Sequence, residues 1–255
     1  MMTIDQAWVT ERGRELKAGI LFLTRLRYGM SEPLDGSAIG KAAWAFPVAG
    51  ILVGIVGAVV YWLAYHLGLA GWPGAALAIA ATMTLTGCLH EDGLADTIDG
   101  FGGGASREQK LAVMRDSRIG TFGVCALAIA ILLRVSALAL LGLPGPVAAA
   151  LIAAHGAGRA VMPVLMALLP PARSDGLSAS AGRPPLGGVA AAAVLGVVIL
   201  ILCLGLGHGL AALIALAIAA ALVCWLSLQQ IGGQTGDVLG AAEQVSEIVI
   251  LLVAI

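Results

Sequence analysis

Charge is what this sequence has least of. Only 11% of its residues are Asp, Glu, Lys or Arg, against about 25% in an ordinary soluble domain. Acids and bases nearly cancel, leaving a net charge of −1, so there is no electrostatic case for binding nucleic acid. Aromatic residues are sparse too, at 5%, and offer no stacking platform for bases. The four cysteines, Cys88, Cys125, Cys203 and Cys224, stand singly with no C-x-x-C spacing, which speaks against a thiolate metal site or a disulfide framework. The first twenty residues hold Asp5, Glu11, Arg12, Arg14, Glu15 and Lys17 before any apolar run. They lack the short apolar core and small-residue cleavage site of a signal peptide, so the amino terminus is expected to stay at the cytoplasmic face. No internal repeat is visible.

What the chain has in abundance is apolar surface. Hydrophobic residues make up 60% of it and the mean hydropathy is +0.98, the composition of an integral membrane protein. A bilayer core about 30 Å thick needs roughly 20 mostly apolar helical residues. Runs of that kind occupy 43–66, 72–89, 121–141, 146–169, 187–206 and 209–230, with a shorter one at 241–255 that contains Glu243 and Glu247. The expected architecture is therefore an all-α polytopic membrane protein of about six or seven transmembrane helices. It forms a single domain over 1–255, with 1–40 as a cytoplasmic or interfacial segment and 43–255 as the helical bundle. The stretch 18–30, interrupted by Arg25 and Arg27, suits a helix lying in the interface. Lys and Arg outside the spans fall in the amino-terminal region and in the loops near 90–120 and 170–186, whereas the alternate loops carry none. The positive-inside rule then places the loops 88–120, 170–186 and 231–240 in the cytoplasm. Those loops hold nearly every residue capable of chemistry.

The densest of them reads GCLHEDGLADTIDGFGGG, residues 87–104. If the helix from 72 runs on through Asp99, then Asp92, Asp96 and Asp99 share one face, because i, i+4 and i+7 nearly coincide on a helix. Glu91 sits at the edge of that stripe. Carboxylates so close repel one another unless a cation lies among them, and an oxygen-only set selects a hard ion such as Mg²⁺. Glycines at 100–104, Gly102 and Gly103 among them, would let backbone N–H groups approach an anion. Arg115, Asp116, Ser117 and Arg118 follow, with guanidinium groups suited to phosphate. A divalent ion beside a phosphate is the arrangement of phosphoryl transfer. A solvated loop whose basic residues only fix topology accounts for those residues one at a time, but not for a carboxylate stripe.

Two arginines lie within predicted spans, Arg134 and Arg159, where a central charge costs about 2.5–3.5 kcal/mol on insertion scales. Arg159, near His155, is a candidate for lining a substrate cavity, with pairing to Glu243 or Glu247 as the structural alternative. In the last loop, Gly233, Thr235 and Asp237 are expected to contact nucleotide or metal. Arg173 and Asp175, in the 170–186 loop, either join the phosphate site or tie their own loop together.

The stretch LTGCLHEDGLADTIDGFGGG, followed by REQKLAVMRDSRIGTFGV, resembles the cobalamin synthase family, the adenosylcobinamide-GDP ribazoletransferases. FLTRL at 22–26 with AFPVAGILVG at 45–54, LLPPARSDGL at 168–177, and IGGQTGDVLGAAEQVSEIVILL at 231–252 agree with it. The likeness is ordered and runs from about residue 18 to the end. It implies a Mg²⁺-dependent transfer in which alpha-ribazole or its 5′-phosphate attacks the diphosphate of adenosylcobinamide-GDP, releasing GMP in cobalamin synthesis. It also implies a multi-pass protein of the bacterial inner membrane with its active face in the cytoplasm; homo-oligomerisation stays open. On this reading Asp92, Asp96 and Asp99, with Glu91, hold the metal, one carboxylate takes the hydroxyl proton, and Arg115, Arg118 and Arg173 clamp the diphosphate. The size of the corrinoid leads to the expectation of a wide cavity open to the cytoplasm. The competing readings are another membrane phosphotransferase, similar in logic to the CDP-alcohol phosphotransferases, and an ion-coupled transporter, which the clustering of motifs at one face disfavours.

Overall fold

The computed structural model describes residues 4–26 and 35–255, and its only regular elements are helices. Residues 27–30 of the expected interfacial stretch lie outside the described residues. In chain order the helices are α1 (Ile4–Leu23), α2 (Gly36–Ala42), α3 (Phe46–His66), α4 (Trp72–Thr86), α5 (Leu89–Gly103), α6 (Arg107–Val113), α7 (Thr121–Leu141), α8 (Pro144–Leu168), α9 (Leu177–Ala181), α10 (Leu186–Ile231) and α11 (Gly236–Val253). Four helical stretches are long and apolar enough to cross a membrane, or five if the bent pair α4–α5 counts as one. The molecule is thus a membrane-embedded helical bundle, as its apolar runs imply.

Helix α8 is the axis of the packing, and α3, α10 and α11 surround it. Its contact with α3 is a backbone-to-backbone one made possible by glycine. A Cβ on Gly50 would lie 2.1 Å from the His155 carbonyl oxygen, and one on Gly54 would lie 2.7 Å from Ile152 Cα. This is the small-x-x-x-small spacing by which membrane helices approach closely. Outward-facing apolar residues such as Leu202 and Leu206 on α10 stay exposed, as expected of surfaces that meet lipid.

Two runs depart from the expected spans. At about 1.5 Å per residue, a straight 46-residue helix would be roughly 69 Å long, far beyond a bilayer core. Helix α10 instead breaks at Gly205, with φ 74° and ψ 173°. A Cβ on Gly209 would lie 3.0 Å from the Leu200 carbonyl oxygen, an approach that a straight helix forbids to residues nine apart. The two halves therefore fold back on each other, matching the separate runs read at 187–206 and 209–230.

The second departure lies at the aspartate motif. The helix from 72 does not run through Asp99: it ends at Thr86, and α5 leaves it at 89°. Gly87 and Cys88 both adopt the left-handed conformation, with φ of 67° and 57°. Glycine takes this freely, whereas for Cys88 it is uncommon. Arg25 braces the corner, its backbone N–H donating to the Leu85 carbonyl at 2.7 Å and its guanidinium lying against Gly87. So α5 runs across the end of the bundle rather than through it. The last segment, expected as a short span from 241, is the 18-residue helix α11, buried along most of its length between α5, α8 and α10.

Candidate active site

Four chain segments meet at the end of the bundle where α5 lies. The loops after α8 and α10 pair through Ala172 N–H to the Gln234 carbonyl and Gln234 N–H to the Pro170 carbonyl, both at 2.8 Å. Gly233 makes room for this pairing, since a Cβ there would lie 2.2 Å from the Pro170 oxygen. Arg107 ties in the start of α6, donating to the carbonyls of Ile231 at 2.7 Å and Ala172 at 2.5 Å. Arg115, two residues past α6, donates to both oxygens of Asp175 at 2.5 and 2.6 Å. The loops that sequence reading treated separately are thus one assembly.

Against this assembly, α5 crosses α11 in direct contact. A Cβ on Gly93 would lie 2.8 Å from the Asp237 carbonyl oxygen, and one on Gly240 would lie 3.3 Å from Gly93 Cα. With both side chains absent, Asp92 and Asp96 of α5 come to the first turn of α11, where Asp237 stands. Thr235 caps that helix, accepting from Val238 N–H at 3.3 Å and donating to Asp237 Oδ2 at 3.1 Å. Arg173 approaches the same Oδ2 at 3.5 Å. Asp92 and Asp96 have no hydrogen-bond or ion-pair partner among the described residues, so both are free to take a ligand. Burial pushes the Asp96 carboxyl up to about 7, helped by the charges of Asp92, Asp237 and Asp99 and opposed by Arg173. The corner holds more negative charge than Arg173 offsets.

Beside these groups lies a cavity of about 190 Å³. Asp92, Arg173, Asp175, Thr235, Gly236 and Asp237 line one part of it, and Phe22, Phe46, Met162 and Met166 line another. It is far narrower than the size of a corrinoid led the sequence reading to expect.

Several candidates take other places. Asp99 is buried and accepts from Gly120 N–H at 2.7 Å and Gly123 N–H at 2.8 Å, one on each oxygen. It caps the amino end of α7, whose first N–H groups have no partner within the helix. Glu91 turns away from Asp92 into the bundle, where Arg134 donates to its Oε1 at 3.0 Å. No residue of the glycine run 100–104 lines the cavity. The run lies in the last turn of α5, where a Cβ on Gly102 would lie 2.8 Å from the Phe122 ring. Gly102 serves close packing of α5 on α7, and Gly103 likewise lies off the cavity. Asp116 and Arg118 pair with each other on the surface, with Arg118 87% exposed, and that pairing holds Asp116 down to about 2. Ser117, between them, is exposed and off the cavity.

Arg159 is not in the cavity either. It is buried where His90, His155, Glu243 and Glu247 converge, 2.5 Å from Glu243 Oε1 and 3.1 Å from Glu247 Oε1. Arg134 extends the network, bridging Glu91 and Glu247 at 3.0 and 3.3 Å. Among the described residues, His155, Glu243 and Glu247 are the one trio with ligand atoms close enough for a metal. The space among them is already held by a cation, however. The same Arg159 nitrogen, NH1, lies 3.2 Å from His155 Nδ1 as well as against both carboxylates. This trio is an arginine cage rather than a metal site.

Sequence reading missed Gly93 and Gly240, which bring α5 and α11 together; His90, which in the sequence neighbours the carboxylates but points away from their stripe, lines the cavity. The glycines were in view as part of their motifs, but only a partner helix shows why a side chain is excluded there.

Residues 15–255 match the family model described as cobalamin-5-phosphate synthase. A Bradyrhizobium diazoefficiens protein named adenosylcobinamide-GDP ribazoletransferase is 55% identical over 240 residues, covering 94% of this chain and 92% of its own. Proteins of that name from Mesorhizobium japonicum and Azorhizobium caulinodans are 54% identical over 237 residues and 43% identical over 247. The first of these covers 92% of this chain and 90% of its own, the second 93% and 94%. No solved structure matches. The chain belongs to the cobalamin-5-phosphate synthase family.

Proposed function

We propose that the protein transfers the adenosylcobinamide phosphate moiety of adenosylcobinamide-GDP to alpha-ribazole or its 5′-phosphate, releasing GMP. The attacking group has to be free in both acceptors, so it is a secondary hydroxyl of the ribose and not the 5′-hydroxyl; the attacked atom is the phosphorus bonded to cobinamide. A new P–O bond forms there, the bond to the GMP oxygen breaks, and the attacking hydroxyl loses its proton. The single observation that carries this reading is the meeting of Asp92, Asp237 and Arg173 along one cavity, with Asp96 close enough to feel their charges, in a chain of this family.

A divalent cation fits the corner on the chemistry of the donors alone. Asp92, Asp96 and Asp237 are oxygen ligands of the kind Mg²⁺ prefers, and the raised Asp96 carboxyl marks unbalanced negative charge. Their ligand atoms are not all within joint coordinating distance, so one or two of the three would hold the ion directly, with water completing its shell as Mg²⁺ commonly requires; when bound, the ion supplies charge neutralisation at the diphosphate. Asp99, with an N–H on each oxygen, keeps the α5–α7 corner in place instead. Arg173, 18% exposed, presents a guanidinium to the diphosphate from the opposite loop. Asp92 and Asp237 line the cavity and are the carboxylates within reach of an acceptor hydroxyl, as a general base requires. The catalytic end of the bundle faces the cytoplasm of the bacterial inner membrane, supported by the basic residues gathered there.

The test is GMP release by the purified full-length protein in detergent, given adenosylcobinamide-GDP, alpha-ribazole or its 5′-phosphate, and Mg²⁺. Release that depends on both organic substrates is expected. No release from either acceptor, with turnover of a CDP-activated lipid donor instead, would overturn the proposal.

A further inference from the structure

The cavity is chemically two-sided, and its second side has no task in the phosphate chemistry. Phe22 at the end of α1, Ile39 on α2, Phe46 at the start of α3, and Met162 and Met166 one turn apart on α8 belong to a single apolar cluster. The Phe22 and Phe46 rings lie 5.9 Å apart at 33°, and both methionines are buried. Thioethers and ring edges of this kind favour an aromatic guest. Among the polar residues that line the cavity, one is buried with a free ring nitrogen. His90 lines the cavity, and its Nε2 is buried with no hydrogen-bond partner.

Four aromatic or macrocyclic groups enter the proposed reaction, the corrin, the adenine it carries, guanine and benzimidazole, and the wall distinguishes among them; adenine shares with guanine an edge of several donors and acceptors. A cavity of about 190 Å³ has no room for a corrin ring. Guanine is small enough, but its edge carries several donors and acceptors that would be buried against phenylalanine and methionine, at a cost for each one left unpaired. A benzimidazole is flat and apolar with one unsubstituted edge nitrogen, which His90 Nε2 can meet. We propose that this wall binds the benzimidazole base of the ribazole acceptor, an assignment that rests on the transferase reading above. The acceptor's ribose then extends toward Asp92 and Asp237, while the corrinoid and guanosine remain outside the enclosed part of the cavity.

The experiment pairs steady-state kinetics with direct binding, using full-length protein in detergent. Replacing Met166→Trp narrows the apolar side, and Met162→Ala widens it. Met166→Trp should raise the KM for alpha-ribazole about tenfold or more while leaving that for adenosylcobinamide-GDP nearly unchanged, within the range that one hydrophobic contact supplies. Met162→Ala should shift the preference between a benzimidazole and a wider naphthimidazole ribonucleoside toward the wider base, a gain that misfolding cannot imitate. GMP release with an unchanged ribazole KM in Met166→Trp and an unchanged preference in Met162→Ala would overturn the subsite and leave the transferase reading standing. A rise confined to the KM for adenosylcobinamide-GDP would overturn it in favour of guanine. If the unaltered protein binds alpha-ribazole, measured by calorimetry, and Met166→Trp abolishes binding, the subsite stands even where no GMP is released.

Discussion

Replacing Arg159→Met removes a guanidinium that His155, Glu243 and Glu247 share inside the bundle while keeping an unbranched apolar stem of similar length. Glu243 and Glu247 are each about 1% exposed or less, and without Arg159 neither gains water in exchange. Breaking a buried pair by removing one partner costs about 3–5 kcal/mol, because the other charge is left uncompensated. On the scale of soluble proteins of this length, each kcal/mol lowers the midpoint by roughly 2–4 °C, so the drop should be about 6–20 °C. Intrinsic tryptophan fluorescence during a thermal ramp in detergent reads it. Adding Glu243→Gln to Arg159→Met removes one of the orphaned charges and should recover part of the loss. An Arg159→Met protein with an unchanged midpoint but a much higher KM for adenosylcobinamide-GDP would refute this reasoning and return Arg159 to the substrate site.

Other outcomes follow from the same geometry. Asp99→Ala removes both acceptors at the start of α7 and should cost about 1–2 kcal/mol, the usual worth of a helix cap. Thermal unfolding checks this, and measurable GMP release should persist. Gly93→Ala places a methyl group 2.8 Å from the Asp237 carbonyl and forces α5 from α11; displacements near 1 Å cost on the order of 10²-fold in rate, which the kcat of GMP release would show. Gly102→Ala meets the Phe122 ring instead and should destabilise by about 1–3 kcal/mol through overpacking. Its KM for adenosylcobinamide-GDP should not change, and a rise would restore the glycine run as a phosphate cradle.

The bundle was largely legible in the sequence because membrane helices declare themselves by length and apolar composition, residue by residue. The aspartate motif was legible as a site for the same local reason: Asp92 and Asp96 keep their helical spacing within α5 whether or not α4 continues into it. The bend between those helices was not, since Gly87 is an ordinary helix stop but nothing about Cys88 announces a left-handed backbone. The partners that Asp99 and Glu91 take were not legible, because they are distant in the chain. The N–H groups of Gly120 and Gly123 and the guanidinium of Arg134 come to them only through the packing of α7 on α5. The packing of Gly102 on Phe122 was hidden for a different reason, as glycine signals equally a backbone open to an anion and a helix pressed against a ring. Asp237 was found by its loop, and α11 then carried it to Asp92, a convergence that no local pattern contains.

In the proposed mechanism Asp92, Asp96 and Asp237 act together at one corner formed by α5 and α11. GMP release by the unaltered protein, Asp92→Asn, Asp237→Asn and Asp99→Asn, measured across a Mg²⁺ titration, tests it most directly. Asp92→Asn and Asp237→Asn should both lose turnover at every Mg²⁺ concentration, while Asp99→Asn keeps it with a lower thermal midpoint. Near-normal turnover by Asp237→Asn, together with complete loss in Asp99→Asn at unchanged stability, would contradict the account.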